Sequence, residues 1–114
     1  MDNLREINTS EMEQTHSLLK KILNLCKNEE GFYWSDEFNE SIYIIDNALK
    51  SKDKENYLNA MKEVRSIYKE MNRQPRDGYS EFFIWREDFD ERKKLDDELE
   101  AYQKELWSII KKYE

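Results

Sequence analysis

Along most of the chain, apolar side chains return at alternating steps of four and three, the spacing that lines one face of an α-helix. In the first such stretch Met12, His16, Leu19, Leu23 and Cys26 make the stripe, and Leu18, Ile22 and Leu25 widen it. Ser10 followed by Glu13 has the spacing of a capping box, which predicts a helix from there to near Asn28, short of Gly31. A second stripe, Phe38, Ile42, Ile45 and Leu49, begins behind Ser35, a good N-cap with Asp36 and Glu37 in the following turn. Glu40, Tyr43 and Asn47 fall on the other side of that helix.

Residues 50–53 are short and polar, with Ser51 or Asp53 available as a cap, and predict an antiparallel return. The third stripe is the cleanest: Tyr57, Met61, Val64, Tyr68 and Met71, flanked by Leu58, Ala60 and Ile67. Pro75 and the Asp77-Gly78 pair stop it. The last stripe holds Leu95, Leu99, Tyr102, Leu106, Ile109 and Tyr113, widened by Trp107 and Ile110 behind an Asp88/Glu91 capping box. A helix over 89–112 would be roughly 36 Å long, the longest in the chain. Four amphipathic helices on short connections predict an all-α fold, a four-helix up-down bundle, in a single domain of residues 1–114 whose first eight residues are frayed.

One stretch breaks the pattern. Residues 78–89 carry five aromatics in twelve positions: Tyr79, Phe82, Phe83, Trp85 and Phe89. The run from Phe82 to Trp85 is too continuous for a one-sided helix and too isolated for a sheet, so a short helix or irregular plug is predicted. In an up-down bundle the connections after the first and third helices share an end. The aromatic segments 32–34 and 79–89 are therefore expected to pack together, with Phe82, Phe83, Trp85 and Phe89 in a mainly architectural cap.

A chain of 114 residues hides roughly 65% of its unfolded surface on folding, enough for one modest core. Its formal charge of −7 argues against general affinity for nucleic acid or for an anionic membrane. No apolar run approaches the ~20 residues that span a bilayer. With a single cysteine, and with Met1, Asp2, Asn3 and Leu4 forming no basic-plus-apolar leader, the expected location is the cytoplasm.

Candidate chemistry is sparse. Glu13 and His16 have the Glu-x-x-His spacing of di-iron bundles, but such sites need a second copy and the chain has one histidine. The expected place of His16 is the rim of the core, beside a carboxylate or carbonyl. Glu37 and Glu40 stand one turn apart, as magnesium ligands do in all-α nucleoside triphosphate pyrophosphohydrolases, yet Glu55, Glu63 and Glu70 on the third helix supply no matching pair. Cys26 sits at an apolar seam position without a histidine near it in sequence, as a small buried side chain would. Asp96, Asp97, Glu98 and Glu100 follow Arg92, Lys93 and Lys94 and read as a solvated face with pairs such as Arg92 and Asp96. With no phosphate-cradling loop, paired-Cys motif or nucleophile elbow, no enzyme activity, metal or cofactor is expected.

Charge placement is more informative. Residues 28–49 contain no Lys or Arg, whereas Glu29, Glu30, Asp36, Glu37, Glu40 and Asp46 accompany Phe32, Tyr33, Trp34 and Tyr43. Aromatics supply desolvated contact area and carboxylates speed encounter with a cationic partner. The expected partner-binding surface is thus Glu29, Glu30, Phe32, Tyr33, Trp34, Asp36, Glu37, Glu40 and Tyr43, and the expected partner a basic protein. Such a chain would act as an immunity-type or inhibitor protein, for example against a nucleic-acid enzyme. Two alternatives stand beside it: a bundle that self-associates, as a homodimer, through its heptad-like faces, and a small metal-dependent hydrolase using carboxylates.

Overall fold

The computed structural model describes residues 9–73, 78–79 and 82–113. They form four helices, α1 (Thr9–Cys26), α2 (Ser35–Ser51), α3 (Lys54–Asn72) and α4 (Phe89–Ile110), with no strand among the described residues. The fold is all-α. The predicted fraying of residues 1–8 and the turn at Pro75 and Asp77 fall outside the described residues.

The apolar stripes make the core. Phe38 and Ile45 of α2, Met61 and Val64 of α3, and Leu99, Leu106 and Ile110 of α4 are all buried. Removing each such side chain from water contributes about 1.5–3 kcal/mol, which isolated helices of this length need because alone they are marginal in water. Every member of the predicted α3 stripe is buried. In α1 the stripe is rotated from the expected line. Its centre runs through Met12, Thr15, Leu18, Leu19, Ile22 and Cys26, while His16, Leu23 and Leu25 flank it half-buried. Thr15 tolerates full burial because its hydroxyl donates to the Glu11 carbonyl at 2.8 Å, leaving no unpaired polar group in the core.

The α1 helix packs against both α2 and α4. The α2 and α3 helices pack on each other, and α3 meets α4 only lightly. Lys112 Nζ and the Tyr113 hydroxyl both donate to the Glu11 carboxylate, which joins the segment after α4 to the start of α1. At the other end of α1, Glu29 is bound by Arg86 from the segment before α4.

Helix starts follow capping chemistry at α3 and α4 and packing at α2. Asp53 accepts from the Glu55 amide at 2.9 Å and starts α3, and Asp88 accepts from the Glu91 amide at 3.1 Å and starts α4. Ser10, the expected cap of α1, lies inside the helix, which begins at Thr9. Ser35 is likewise the first residue of α2 and not its cap. Trp34 occupies the cap position with no side-chain cap bond, held there by burial of its ring in the aromatic end of the bundle.

Candidate functional site

The connection between α1 and α2 is shaped by its backbone. The Glu29 amide donates to the Cys26 carbonyl at 2.9 Å, and the Phe32 amide donates to the Glu29 carbonyl at 3.2 Å. Gly31 then takes φ +87°, a left-handed conformation that other residues adopt at a cost of about 1–2 kcal/mol. Beyond it, residues 32–34 are non-helical and alternate: Phe32 and Trp34 turn inward at 7% exposure each, and Tyr33 turns outward at 76%.

Phe32 and Trp34 meet the second aromatic segment, as the shared-end argument expects. Phe32 lies edge-on to Phe82 at 5.2 Å, and Trp34 edge-on to Tyr79 at 5.5 Å. Tyr79, only 1% exposed, also touches Phe38 and Tyr68 at 5.6 and 5.7 Å. Edge-to-face pairs of this kind contribute about 0.5–1.5 kcal/mol each beyond simple burial. Burial pushes the Tyr79 phenol well above the ordinary tyrosine value and the Tyr68 phenol up to about 12.

Residues 82–86 are irregular and not helical. Their side chains alternate as in an extended chain: Phe82 half-buried, Phe83 exposed, Ile84 fully buried, Trp85 exposed. The Ile84 amide donates to Asp96 Oδ1 at 2.7 Å, anchoring the segment on α4. The architectural reading is therefore right for Tyr79, Phe82 and Ile84 and wrong for Phe83, Trp85 and Phe89, which are about three-fifths exposed. An extended segment can bury only alternate residues, so an unbroken apolar run had to leave part of itself outside. Arg92 lies over the rings of Trp85 and Phe89 at 4.4 and 5.4 Å, covering one side of this ridge.

Between the two segments lies an open hollow of about 510 Å³, lined by Glu30, Gly31, Tyr33, Trp34, Phe82, Phe83 and Trp85, with Gly78 at its edge. The residues expected to bind a partner are divided by it. Tyr33 and Glu30 stand at its rim. Asp36, Glu40 and Tyr43, spaced by four and three, form an exposed stripe that leads away along α2. Tyr43 is 66% exposed and lines a separate shallow hollow between α2 and α3. Glu37 is half-buried.

Three of the nine offer little open surface. Phe32 and Trp34 are sealed in the end cap, Trp34 showing the hollow only an edge. Glu29 is held by Arg86, and that guanidinium keeps its carboxyl below the usual glutamate value against the opposing pull of burial. Phe83 and Trp85 are the contact candidates that helical reasoning missed. The unbroken apolar run 82–85 carries no sequence signal for which of its residues face outward; the alternation shows only in their burial.

The remaining reactive groups are quiet. Cys26 is fully buried, and its thiol is pushed up to about 12, chiefly by desolvation and further by Glu29 and Asp96. His16 sits half-buried with Nε2 2.8 Å from Asp46 Oδ1, the rim position expected of it. Among the described residues no three His, Cys, Asp or Glu side chains are grouped to hold a metal ion, and no helix is long and apolar enough to cross a membrane. Compared with family models, with curated proteins and with solved structures, the chain matches none.

Proposed function

We propose that the protein is a small cytoplasmic binding module that neutralises or regulates a basic protein, in the manner of an immunity-type protein or an inhibitor of a nucleic-acid enzyme. One observation supports this reading above the others. Tyr33, Phe83 and Trp85 stand exposed around a single hollow with Glu30 beside them, and the carboxylates of Asp36 and Glu40 continue the surface along α2. Exposed aromatics grouped in this way mark interaction surfaces. They supply the rigid anchors on which binding energy concentrates, and a Lys or Arg entering the hollow would meet both ring faces and a carboxylate.

The same ridge favours a second reading, in which it pairs with a second copy of the chain. Net charge weighs against that, because two chains of −7 bring like charges together at this end. Light scattering at high concentration separates the two: a monomer removes the homodimer. The third reading, a carboxylate-dependent hydrolase, has no observation in its favour among the described residues.

The proposal is tested by capture from an extract of the native host on immobilised protein. A basic protein retained by the wild type, and lost with Tyr33→Ala and Phe83→Ala at unchanged melting temperature, is the expected result. Retention of no basic protein, or retention indifferent to both changes, contradicts it.

A further inference from the structure

Where α3 meets α4 lightly, the surface opens into a groove of about 840 Å³. Its charge is opposite to that of the chain. It is lined by four of the nineteen Lys and Arg residues but only two of the twenty-six Asp and Glu. Arg65 and Lys69 on α3 and Arg73 at its C-cap follow one another at steps of four, a line of about 12 Å, and Lys104 lines the groove from α4. The two carboxylates do not cancel this charge. Glu70 reaches Arg73 at 3.8 Å and Glu100 reaches Lys104 at 3.3 Å, both as exposed neighbours on their own helix, where such pairs are weak. Arg65 and Lys69 have no carboxylate within ion-pair distance among the described residues.

The wall between these cations is aromatic. Tyr68 and Trp107 stack at 6.1 Å and 23°, and the Arg65 guanidinium lies over Trp107 at 5.7 Å.

We infer that the groove between α3 and α4 binds a small organic anion: an apolar body resting on Tyr68 and Trp107, with a carboxylate, sulfonate or phosphate held by Arg65, Lys69 and Lys104. The volume is that of a small-molecule site, and the pairing of apolar wall with a few convergent charges is the chemistry such sites use. The groove shares no lining residue with the hollow at the acidic aromatic end, which it approaches through the contact of Tyr68 with Tyr79.

Fluorescence titration with anilinonaphthalene sulfonate as the anionic probe, and phenylnaphthylamine as its uncharged counterpart, tests the inference on the full chain. The sulfonate should bind at least about tenfold more tightly than the neutral dye, and Lys69→Glu/Lys104→Glu should weaken it by at least about tenfold. Both substituted side chains are exposed, so the melting temperature should hold. Tyr33→Ala/Phe83→Ala should bind the dye as the wild type does. On the unmodified protein, the Trp107 indole resonance should shift during the titration while that of Trp85 stays. Equal binding of the two dyes, indifference to the charge reversal, loss of binding in Tyr33→Ala/Phe83→Ala, or a stationary Trp107 resonance would each overturn it.

Discussion

Arg86 grips both oxygens of Glu29, its Nη1 and Nη2 donating to Oε1 and Oε2 at 2.8 and 2.9 Å. This forked pair ties the loop after α1 to the segment before α4, the two segments that flank the hollow. The pair also gives a pH signature. Because the folded carboxyl titrates below its ordinary value of 4.5, the stability it contributes is fully present above that value and lost as pH falls through the depressed one. Glu29→Gln should lower the melting temperature at neutral pH, with the gap to wild type closing as melts are repeated below pH 4.5. A gap that does not change with pH would show that the carboxylate charge plays no part.

Tyr79 is buried for its ring and not for its hydroxyl. That oxygen is shielded from water, and Gln103, its polar neighbour, lies outside ordinary hydrogen-bond geometry. Tyr79→Phe should leave stability unchanged or raise it by up to about 1–2 kcal/mol, because it removes an unpaired buried group. Tyr79→Ala should cost about 3–5 kcal/mol by emptying the centre of the aromatic cluster. Denaturant melts distinguish these outcomes. A clear loss in the phenylalanine variant would mean that the hydroxyl has a partner.

Burial of Cys26, Tyr68 and Tyr79 sets the alkaline limit of the fold. All three folded values are raised, so the unfolded chain releases protons first. Stability is therefore intact below the ordinary cysteine value of 9.0 and falls as pH rises past it and past the tyrosine value of 10.0. Each group contributes up to about 1.4 kcal/mol per pH unit over its own window. Chemical denaturation at pH 8, 9 and 10 reads the decline, and a thiol reagent at pH 8 should label Cys26 only once the protein is unfolded.

Lys52 closes α2 in the left-handed region, at φ +55°. Glycine is at ease there and lysine is not, so Lys52→Gly should stabilise the protein by about 0.5–1 kcal/mol in thermal or denaturant melts. No change would mean that other contacts of Lys52 offset the strain.

Helix number, type and most of the core were legible because four-and-three spacing reports burial directly, as the fully buried α3 stripe demonstrates. Errors arose where a polar residue satisfied itself locally, as Thr15 does on Glu11, and where packing outranked capping, as at Trp34 and Ser35. At the site, helical spacing placed Tyr43 on the side of α2 away from its apolar stripe, where it is exposed, but composition cannot say which members of an aromatic run face inward. That was decided by the non-helical path of residues 32–34 after Gly31 and by the Ile84 to Asp96 hydrogen bond, which joins residues 12 apart. The fork of Arg86 on Glu29 spans 57 residues and left no local trace.

The most direct measurement of the proposed role is the association rate of the captured basic protein with wild type and with Glu30→Lys/Asp36→Lys/Glu40→Lys, followed over a range of salt concentration. All three substituted residues are exposed, so folding should be unaffected. If this acidic aromatic end is the recognition surface, the charge-reversed protein associates at least about tenfold more slowly at low salt and loses most of its salt dependence. Association at the wild-type rate, with the wild-type salt dependence, would contradict the account.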